Sequence, residues 1–153
     1  MGQVATLGRF KKTELEKIKA DKVVNWDDAL ESVYVDKFWE HIMYVFGNGN
    51  GMKPPFEYIF MPTNRIYITE EREPWSESIK FHSFENIVEM NSKMSEVTRE
   101  LVIERIDIEK MNSKGMYQIM SEDTVPYLIN HVMDVKKFFE DTKEDEIIIG
   151  DIG

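Results

Sequence analysis

The chain has 153 residues, no cysteine and a formal net charge of −10 at pH 7. The lack of cysteine in the sequence excludes disulfides, thiolate catalysis, iron–sulfur clusters and the usual structural zinc sites. The acidic balance argues against nucleic acid or an anionic membrane as a partner, because both would repel the chain. The length suits one domain, so we expect a single unit over residues 1–153.

Apolar runs in the sequence are only a few residues long, far short of the roughly 20 residues that span a bilayer. The first ten residues also lack the basic region and apolar core of a secretory signal. The sequence therefore predicts a cytoplasmic protein with no membrane association.

Short elements are predicted at the start of the chain. The alternation of residues 3–10 predicts a strand, and residues 13–16 have the form of a capping box that opens a helix. We expect Asn25 or Asp27 to cap a brief helix that runs through Leu30.

Residues 36–47 predict an amphipathic helix, because side chains turn by about 100° per residue along a helix and sort into two arcs. Asp36 is placed as the N-cap, and Gly47 is placed where the helix ends in a left-handed conformation. The polar arc, expected to be solvated, holds Lys37, Glu40, His41 and Tyr44. The apolar arc, expected to be buried, holds Phe38, Trp39, Ile42, Met43, Val45 and Phe46.

The middle of the chain predicts a loop and then a hairpin. Residues 47–51 are glycine and asparagine, and two prolines close this loop. Residues 56–60 and 65–69 predict two strands joined by a four-residue turn. Residues 70–77 are charged and predict a loop, in which Trp75 either folds back onto the core, as we favour, or stays exposed and marks a contact surface.

The second half of the chain predicts helices and a closing strand. Ser83 is placed as the cap of a helix that runs to Ser95, where a second helix begins and continues towards residues 107–111. Residues 112–115 predict a turn. Thr124, with Pro126 in the first turn, opens the longest helix, and residues 146–149 predict a strand.

Strands at both ends with helices between them predict an α+β fold, because strands and helices do not alternate regularly. We expect a small mixed or antiparallel sheet packed against four to five helices.

Residues 36–47 also resemble the Asp-Lys-x-Trp-x-x-Leu-His-x-x-Leu-Thr-Gly signature of the YfbM-like bacterial proteins, a family with a domain of unknown function, DUF1877. Residues 81–85 fall where the family has a Leu-Thr-Pro-Glu helix start, and residues 115–117 where it has Ile-Tyr-Pro. Met43 stands at the family's histidine and Gln118 at its proline. The resemblance implies a fold and no activity, since these are packing motifs. If the histidine is catalytic in the family, this chain has lost that activity.

The three histidines, His41, His82 and His131, lack the spacing that places two metal ligands on one helical face. The glycine-rich loop lacks the Gly-Lys-Ser/Thr ending of a phosphate-binding loop. No metal and no cofactor are therefore expected.

One stripe on the last helix has two interpretations. Tyr127, His131, Asp134 and Phe138 follow at helical spacing, so that a carboxylate near an imidazole flanked by aromatic rings makes a general base or a recognition patch. The other interpretation, which we favour, is that the stripe packs against neighbouring elements and His131 is satisfied in place.

The sequence favours a non-enzymatic protein-interaction module whose acidic surface binds a basic protein, as an immunity or inhibitor protein binds a cationic toxin. Trp75, His41 and Tyr44 are the residues expected at its surface. The alternative is a small-molecule-binding protein or an enzyme that uses Tyr127, His131 and Asp134 in a cleft beside the sheet.

Overall fold

The computed structural model describes residues 3–50 and 53–153, and the strands within these ranges form one five-stranded antiparallel sheet. The order across the sheet is β2-β1-β5-β4-β3, so the last strand of the chain lies at the centre. This confirms the predicted α+β class. The strands are β1 (Ala5–Lys11), β2 (Glu31–Asp36), β3 (Asn64–Tyr67), β4 (Ser78–His82) and β5 (Glu146–Ile152).

Six α-helices lie in the described ranges, and five of them have seven residues or more. Single 3₁₀ turns occur at Trp26–Asp28, Phe56–Tyr58 and Glu122–Thr124. The helices are α1 (Glu14–Asp21), α2 (Trp39–Phe46), α3 (Phe84–Met94), α4 (Arg99–Arg105), α5 (Ile108–Ser113) and α6 (Val125–Glu140).

The alternation of side chains along β5 divides the core into two layers. Ile148 belongs to the large cluster that α2, α3 and α6 form on one face of the sheet. Ile147 and Ile149 point to the other face and join a smaller cluster with Phe10 and with Ile18 of α1. Because successive residues of a strand face opposite sides, a run of three isoleucines supplies both layers at once.

The start of the helix predicted for residues 36–47 was wrong. Residues 31–36 form β2, and Asp36 leaves this strand with a φ of 52°, so it is not an N-cap. The helix begins at Trp39, and Gly47 has a φ of −80° rather than a left-handed one. Asn48 and Gly49 take the positive φ values instead. Pairing of β2 with β1 overrides the local helical signal of these residues.

The predicted hairpin between residues 56–60 and 65–69 is also wrong, although its second strand overlaps β3. Phe56–Tyr58 is a 3₁₀ turn, and Phe60 is buried in the larger core cluster. A short apolar run does not by itself distinguish a strand from a buried helical turn. β3 pairs instead with β4, which was not predicted, across the loop of residues 68–77. Gly51 of the predicted loop lies outside the described residues.

Several helix ends differ from the predicted ones. Thr13 precedes α1 but its side chain makes no capping hydrogen bond, so the capping box is not formed. Asn25 is the cap of the next turn and accepts from the Asp27 amide at 3.2 Å, and that turn ends before Leu30. α4 begins after Thr98 rather than near Ser95.

Other predicted boundaries hold, or move by a few residues. Ser83 caps α3 in a capping box with Asn86. Asp107 caps α5, which runs on to Ser113, so the predicted turn is confined to the residues after it. Pro126 lies in the first turn of α6, as predicted.

A buried arginine ties the central strands to the end of α6. The guanidinium of Arg9 donates to Thr142 Oγ1 at 3.1 Å, to the Phe138 carbonyl at 2.6 Å and to Glu31 Oε2 at 2.8 Å. It lies over the Phe138 ring at 4.5 Å from the centroid, with the buried Glu146 carboxylate 3.8 Å away. One side chain of β1 thus joins β2, β5 and the C-terminal carbonyls of α6, where a cation is favoured.

Replacement of Arg9 by methionine should lower the free energy of unfolding by about 3 kcal/mol, because it removes the buried cation from a helix-end carbonyl and from the Glu146 carboxylate. Glu146 would keep only the half-exposed Lys11, at 3.9 Å. The matched control is Glu31→Gln, since Glu31 is the half-exposed partner of the same guanidinium. It should cost less than about 1 kcal/mol. Urea unfolding of both variants tests this, and equal losses would contradict the central position of Arg9.

His82 is a buried, neutral histidine in the larger core. Its Nε2 lies 3.0 Å from the Ile59 carbonyl, and its ring packs edge-on against Phe139. Burial lowers the pKa of His82 to about 4, against an opposing effect of backbone hydrogen bonds to Ile59 and Tyr58. The neutral ring therefore stabilises the fold fully above the unfolded pKa near 6.5.

As the pH falls from about 6.5 towards 4, the unfolded chain takes up a proton at His82 that the folded chain does not, so stability falls by up to about 3 kcal/mol from this group. The His82→Gln variant should lose less stability over the same pH range, because it lacks this titrating group. Urea unfolding of both proteins at about pH 7 and pH 4.5 measures the difference. An NMR titration in which the His82 ring of the folded protein protonates near pH 6.5 would refute the assignment.

Candidate interaction surface

Two of the four residues predicted to form a solvated polar arc are buried instead. His41 is 0% exposed and Tyr44 is 3% exposed, so their expected place at the surface was wrong. The segment after α5 covers this side of the helix. The Tyr117 amide donates to Glu40 Oε1 at 3.0 Å, and Lys114 Nζ lies 6.0 Å from the centroid of the Tyr44 ring.

The apolar arc of α2 has the burial that was predicted, with one partial exception. Trp39 is half-buried against the large core cluster, and its indole Nε1 donates to the Gln3 carbonyl at 3.3 Å. The fully buried members of the arc are Phe38, Ile42, Met43, Val45 and Phe46. Helix α2 therefore contributes packing on nearly all sides.

The predicted stripe on α6 is separated by the fold into unlike environments. The half-buried ring of His131 lies 5.4 Å from that of Phe38, which also contacts His41. Burial lowers the pKa of His131, against the opposing charges of Asp134 and Asp36. Burial likewise lowers the pKa of His41, whose two ring nitrogens have no hydrogen-bond partner among the described residues.

Tyr127 is 63% exposed and Asp134 is exposed, whereas Phe138, on the same stripe, is sealed in the core. Neither Tyr127, His131 nor Asp134 lines either of the two cavities described below. The stripe is therefore a helix surface with one packed histidine.

Trp75 is exposed, which corrects the favoured expectation that it folds back. Its side chain is 75% exposed, in the turn of residues 73–76 within the loop of residues 68–77. The turn that carries it is held by hydrogen bonds. Ser76 Oγ accepts from the Glu73 amide at 3.0 Å, and Arg65 donates to the Pro74 carbonyl at 2.8 Å. Trp75 is thus a large apolar side chain presented on a braced turn.

Trp26 provides a second tryptophan nearby. Its ring packs edge-on against Phe10 at 5.8 Å and remains 37% exposed. It lies directly on Gly8 of β1, where an added Cβ would come within 2.5 Å of the indole. The glycine is needed here for close approach of a ring to the sheet.

A groove opens where β4 and β5 separate. The two strands pair only at Lys80 with Gly150, Phe81 with Ile149 and His82 with Ile148. Beyond that point β4 continues with β3 to Ser78, and β5 continues with β1 to Ile152. The resulting cavity has a volume of about 450 Å³. We call it the strand-split groove, and its lining includes Trp26, Trp75, Ser78, Ile79, Ile149 and Asp151.

The strand-split groove is lined by both polar and apolar side chains, and most of its charged residues are acidic. Glu77 and Asp151 line it together with one cation, Lys80. Residues 69–77 of the adjoining loop add Glu70, Glu71 and Glu73 against Arg72. Ser78 Oγ is buried there and has no hydrogen-bond partner among the described residues. The groove and the adjoining loop together therefore carry more carboxylates than cations.

A second cavity, of about 580 Å³, adjoins α2 and is lined mainly by Trp39, Met43, Tyr44, Met61 and Met116. Met43 contributes its thioether to the wall of this cavity. Within residues 3–50 and 53–153, no cluster of three or more His, Asp or Glu side chains is placed to hold a metal ion. None of the helices in these ranges has the length and apolar character needed to cross a membrane.

The sequence predicted one residue of the strand-split groove, Trp75, and missed the rest. Ser78 and Asp151 come from distant parts of the chain, and only the premature end of the β4–β5 ladder brings them together. Apart from Trp75 itself, only the acidic composition of residues 69–77 indicated this site in the sequence.

Taken together, the fold and the site define an α+β domain with a central C-terminal strand and a tryptophan-bordered surface groove. The chain belongs to the family described as Domain of unknown function (DUF1877), whose model matches residues 1–148. This agrees with the resemblance seen in the signature segment. No curated protein matches the chain significantly.

Among solved structures, the chain is similar to the crystal structure of YfbM from Escherichia coli, a protein of unknown function. The TM-score is 0.61 at 11% sequence identity, over 95% of this chain and 97% of that one. At this identity the likeness shows a shared fold and nothing about activity.

Replacement of Trp75 by serine should change the free energy of unfolding by less than about 0.5 kcal/mol, because the side chain is mostly in water. The matched control, Trp39→Ser, should cost at least about 2 kcal/mol, since it removes a ring packed on the core. Acrylamide quenching of tryptophan emission should fall in the first variant. Comparable destabilisation by both would show that Trp75 packs in solution.

Proposed function

We propose that this protein is a non-enzymatic interaction module that binds a basic protein through the face that carries Trp75 and the strand-split groove. The observation that carries the proposal is the exposure of Trp75 on a braced, acidic turn. Tryptophan is prominent among the residues that dominate binding energy at interfaces. Its exposure in the free protein leaves that energy available to a partner.

The charge of the molecule supports a basic partner. A net charge of −10 creates a negative field that accelerates the approach of a cationic protein. The acidic residues of the loop around Trp75 place part of this charge beside the apolar anchor. A more specific form of the proposal is an immunity or inhibitor protein, which requires rapid capture of a cationic toxin.

The competing enzymatic hypothesis has no comparable support from geometry. Asp134 and Tyr127 lie on an exposed helix face, and the half-buried His131 packs against Phe38. A general base needs a site that holds a substrate within hydrogen-bond reach. The geometry of these residues therefore favours the interaction module over an enzyme.

The test is capture of partners by the immobilised protein from lysate at about 50 mM and about 500 mM salt, since screening shortens the range of charge interactions. Trp75→Ala should lose at least about tenfold of the captured partner, because a central aromatic anchor contributes roughly 2 kcal/mol or more. Capture by the unaltered protein should fall at high salt.

Tyr127→Ala is the matched control, because Tyr127 is an exposed aromatic side chain on a different surface. It should retain the partner. Capture that ignores both salt and Trp75, or that depends on Tyr127 instead, would overturn the proposed function.

A further inference from the structure

We propose that the strand-split groove binds a single arginine side chain of the basic partner. The guanidinium stacks on the indole of Trp75, beside Trp26, and pairs with the carboxylates of Glu77 and Asp151. The side chain enters from the solvent, perpendicular to the sheet. This rests on the proposed function, because it specifies what the same face recognises in its partner.

The first support is the strand register, which places both carboxylates on one face of the sheet. Ile79 and Ile149 belong to the smaller core cluster, and side chains two residues apart along a strand share a face. Asp151 follows Ile149 by two residues within β5. Glu77 precedes Ile79 by two residues, and its carbonyl accepts a hydrogen bond at 3.1 Å from the residue that follows β3. A group that stands on this face can therefore meet both carboxylates.

The indole of Trp26 lies on the same face, close to one of these carboxylates. Its ring lies on Gly8, which pairs with Ile149 in the β1–β5 ladder. Asp151 is two residues further along β5, and two residues of an antiparallel strand span roughly 7 Å. The aromatic ring and the carboxylate are thus close enough to border one ligand side chain.

The second support is the separation of charge between the two faces of the sheet. Lys80, the cation that lines the groove, shares the opposite face with His82, which packs against Phe139 of α6. Arg72 of the adjoining loop lies over the Tyr67 ring, 5.4 Å from its centroid. On the face of the smaller core cluster, the described lining of the groove therefore presents carboxylates and no cation.

The two carboxylates are also available to a ligand. Glu77 and Asp151 are exposed, and neither forms an ion pair with another residue of the described ranges. Other exposed acids of the sheet are already paired, as Asp145 is with Lys11 at 2.9 Å. A cation that enters the groove does not have to displace an existing partner.

The combination of rings and carboxylates favours arginine over lysine. A guanidinium is planar, stacks on aromatic faces and forms paired hydrogen bonds with carboxylates, whereas an ammonium group is a compact, strongly hydrated charge. Trp75, at 75% exposure, offers an open ring for this stacking. The cavity volume of about 450 Å³ lies within the range of specific ligand sites.

The experiment is an NMR titration of the full chain with the peptide acetyl-Gly-Arg-Gly-amide. The matched control peptides carry citrulline, the neutral counterpart of arginine, or lysine in place of the arginine. The arginine peptide should shift the indole N–H signals of Trp26 and Trp75 and the amide signals of Glu77 and Asp151. The citrulline peptide should bind at least about tenfold more weakly, and the lysine peptide about threefold more weakly.

Variants of the protein test the residues of the site. Glu77→Gln with Asp151→Asn should weaken binding of the arginine peptide about tenfold, and Trp75→Ala about threefold, because each removes one of the two interactions of the guanidinium. Glu122→Gln with Asp123→Asn, an exposed acid pair elsewhere, is the matched charge control and should bind normally. All of these side chains are exposed, so urea unfolding should show that the variants remain folded.

Two results would overturn the inference. Equal binding of the arginine and lysine peptides would show general attraction of cations rather than a guanidinium site. An arginine peptide that leaves both indole signals unshifted at millimolar concentration would show that the groove does not hold this side chain.

The titration also distinguishes this inference from the proposed function. If the arginine peptide does not bind but Trp75 is still required for salt-dependent capture of a partner, the arginine site is wrong and the interaction module stands. If Trp75 matters in neither experiment, both are wrong.

Discussion

The buried guanidinium of Arg9 is the interaction on which the arrangement of the sheet depends. It satisfies the Phe138 carbonyl at the end of α6, the Thr142 hydroxyl of the following turn and the carboxylates on β2 and β5. Buried charge is tolerated only when it is paired and hydrogen-bonded. These partners can meet only if β5 returns beside β1 after α6. A requirement for charge compensation thus favours the placement of the last strand at the centre of the sheet.

The candidate site follows from that placement. β5 pairs with β1 along seven residues, from Glu146 to Ile152, but with β4 only at Ile148, Ile149 and Gly150 in its middle. The segment that follows the Phe56–Tyr58 turn crosses close to Gly150, where an added Cβ would lie 2.7 Å from the Phe60 carbonyl. Beyond this crossing the strands separate. The groove therefore lies where the central strand loses one of its two neighbours.

Sequence patterns predicted the helix starts and strands well where interactions between residues close in the chain decide the structure. Ser83 at the start of α3, Pro126 in the first turn of α6 and the isoleucine run of β5 each carry a signal that acts within a few residues. The signature segment shows the opposite case. Its helical periodicity continued back to Asp36, but pairing with β1 made that residue the end of a strand. The helical periodicity placed the polar side chain of His41 on the solvent-facing side of the helix, but the segment after α5 buries it.

By itself, the sequence determined the α+β class, most helices and the acidic character, because these follow from composition, capping and short-range periodicity. The resemblance of residues 36–47 to a family signature indicated the family. The sequence also marked Trp75, although not its exposure. The tertiary structure decided the strand order, the burial of His41 and Tyr44, and the groove beside Ser78 and Asp151. Each of these depends on which distant segments pair or stop pairing, and no local pattern of residues encodes where a ladder between two remote strands ends.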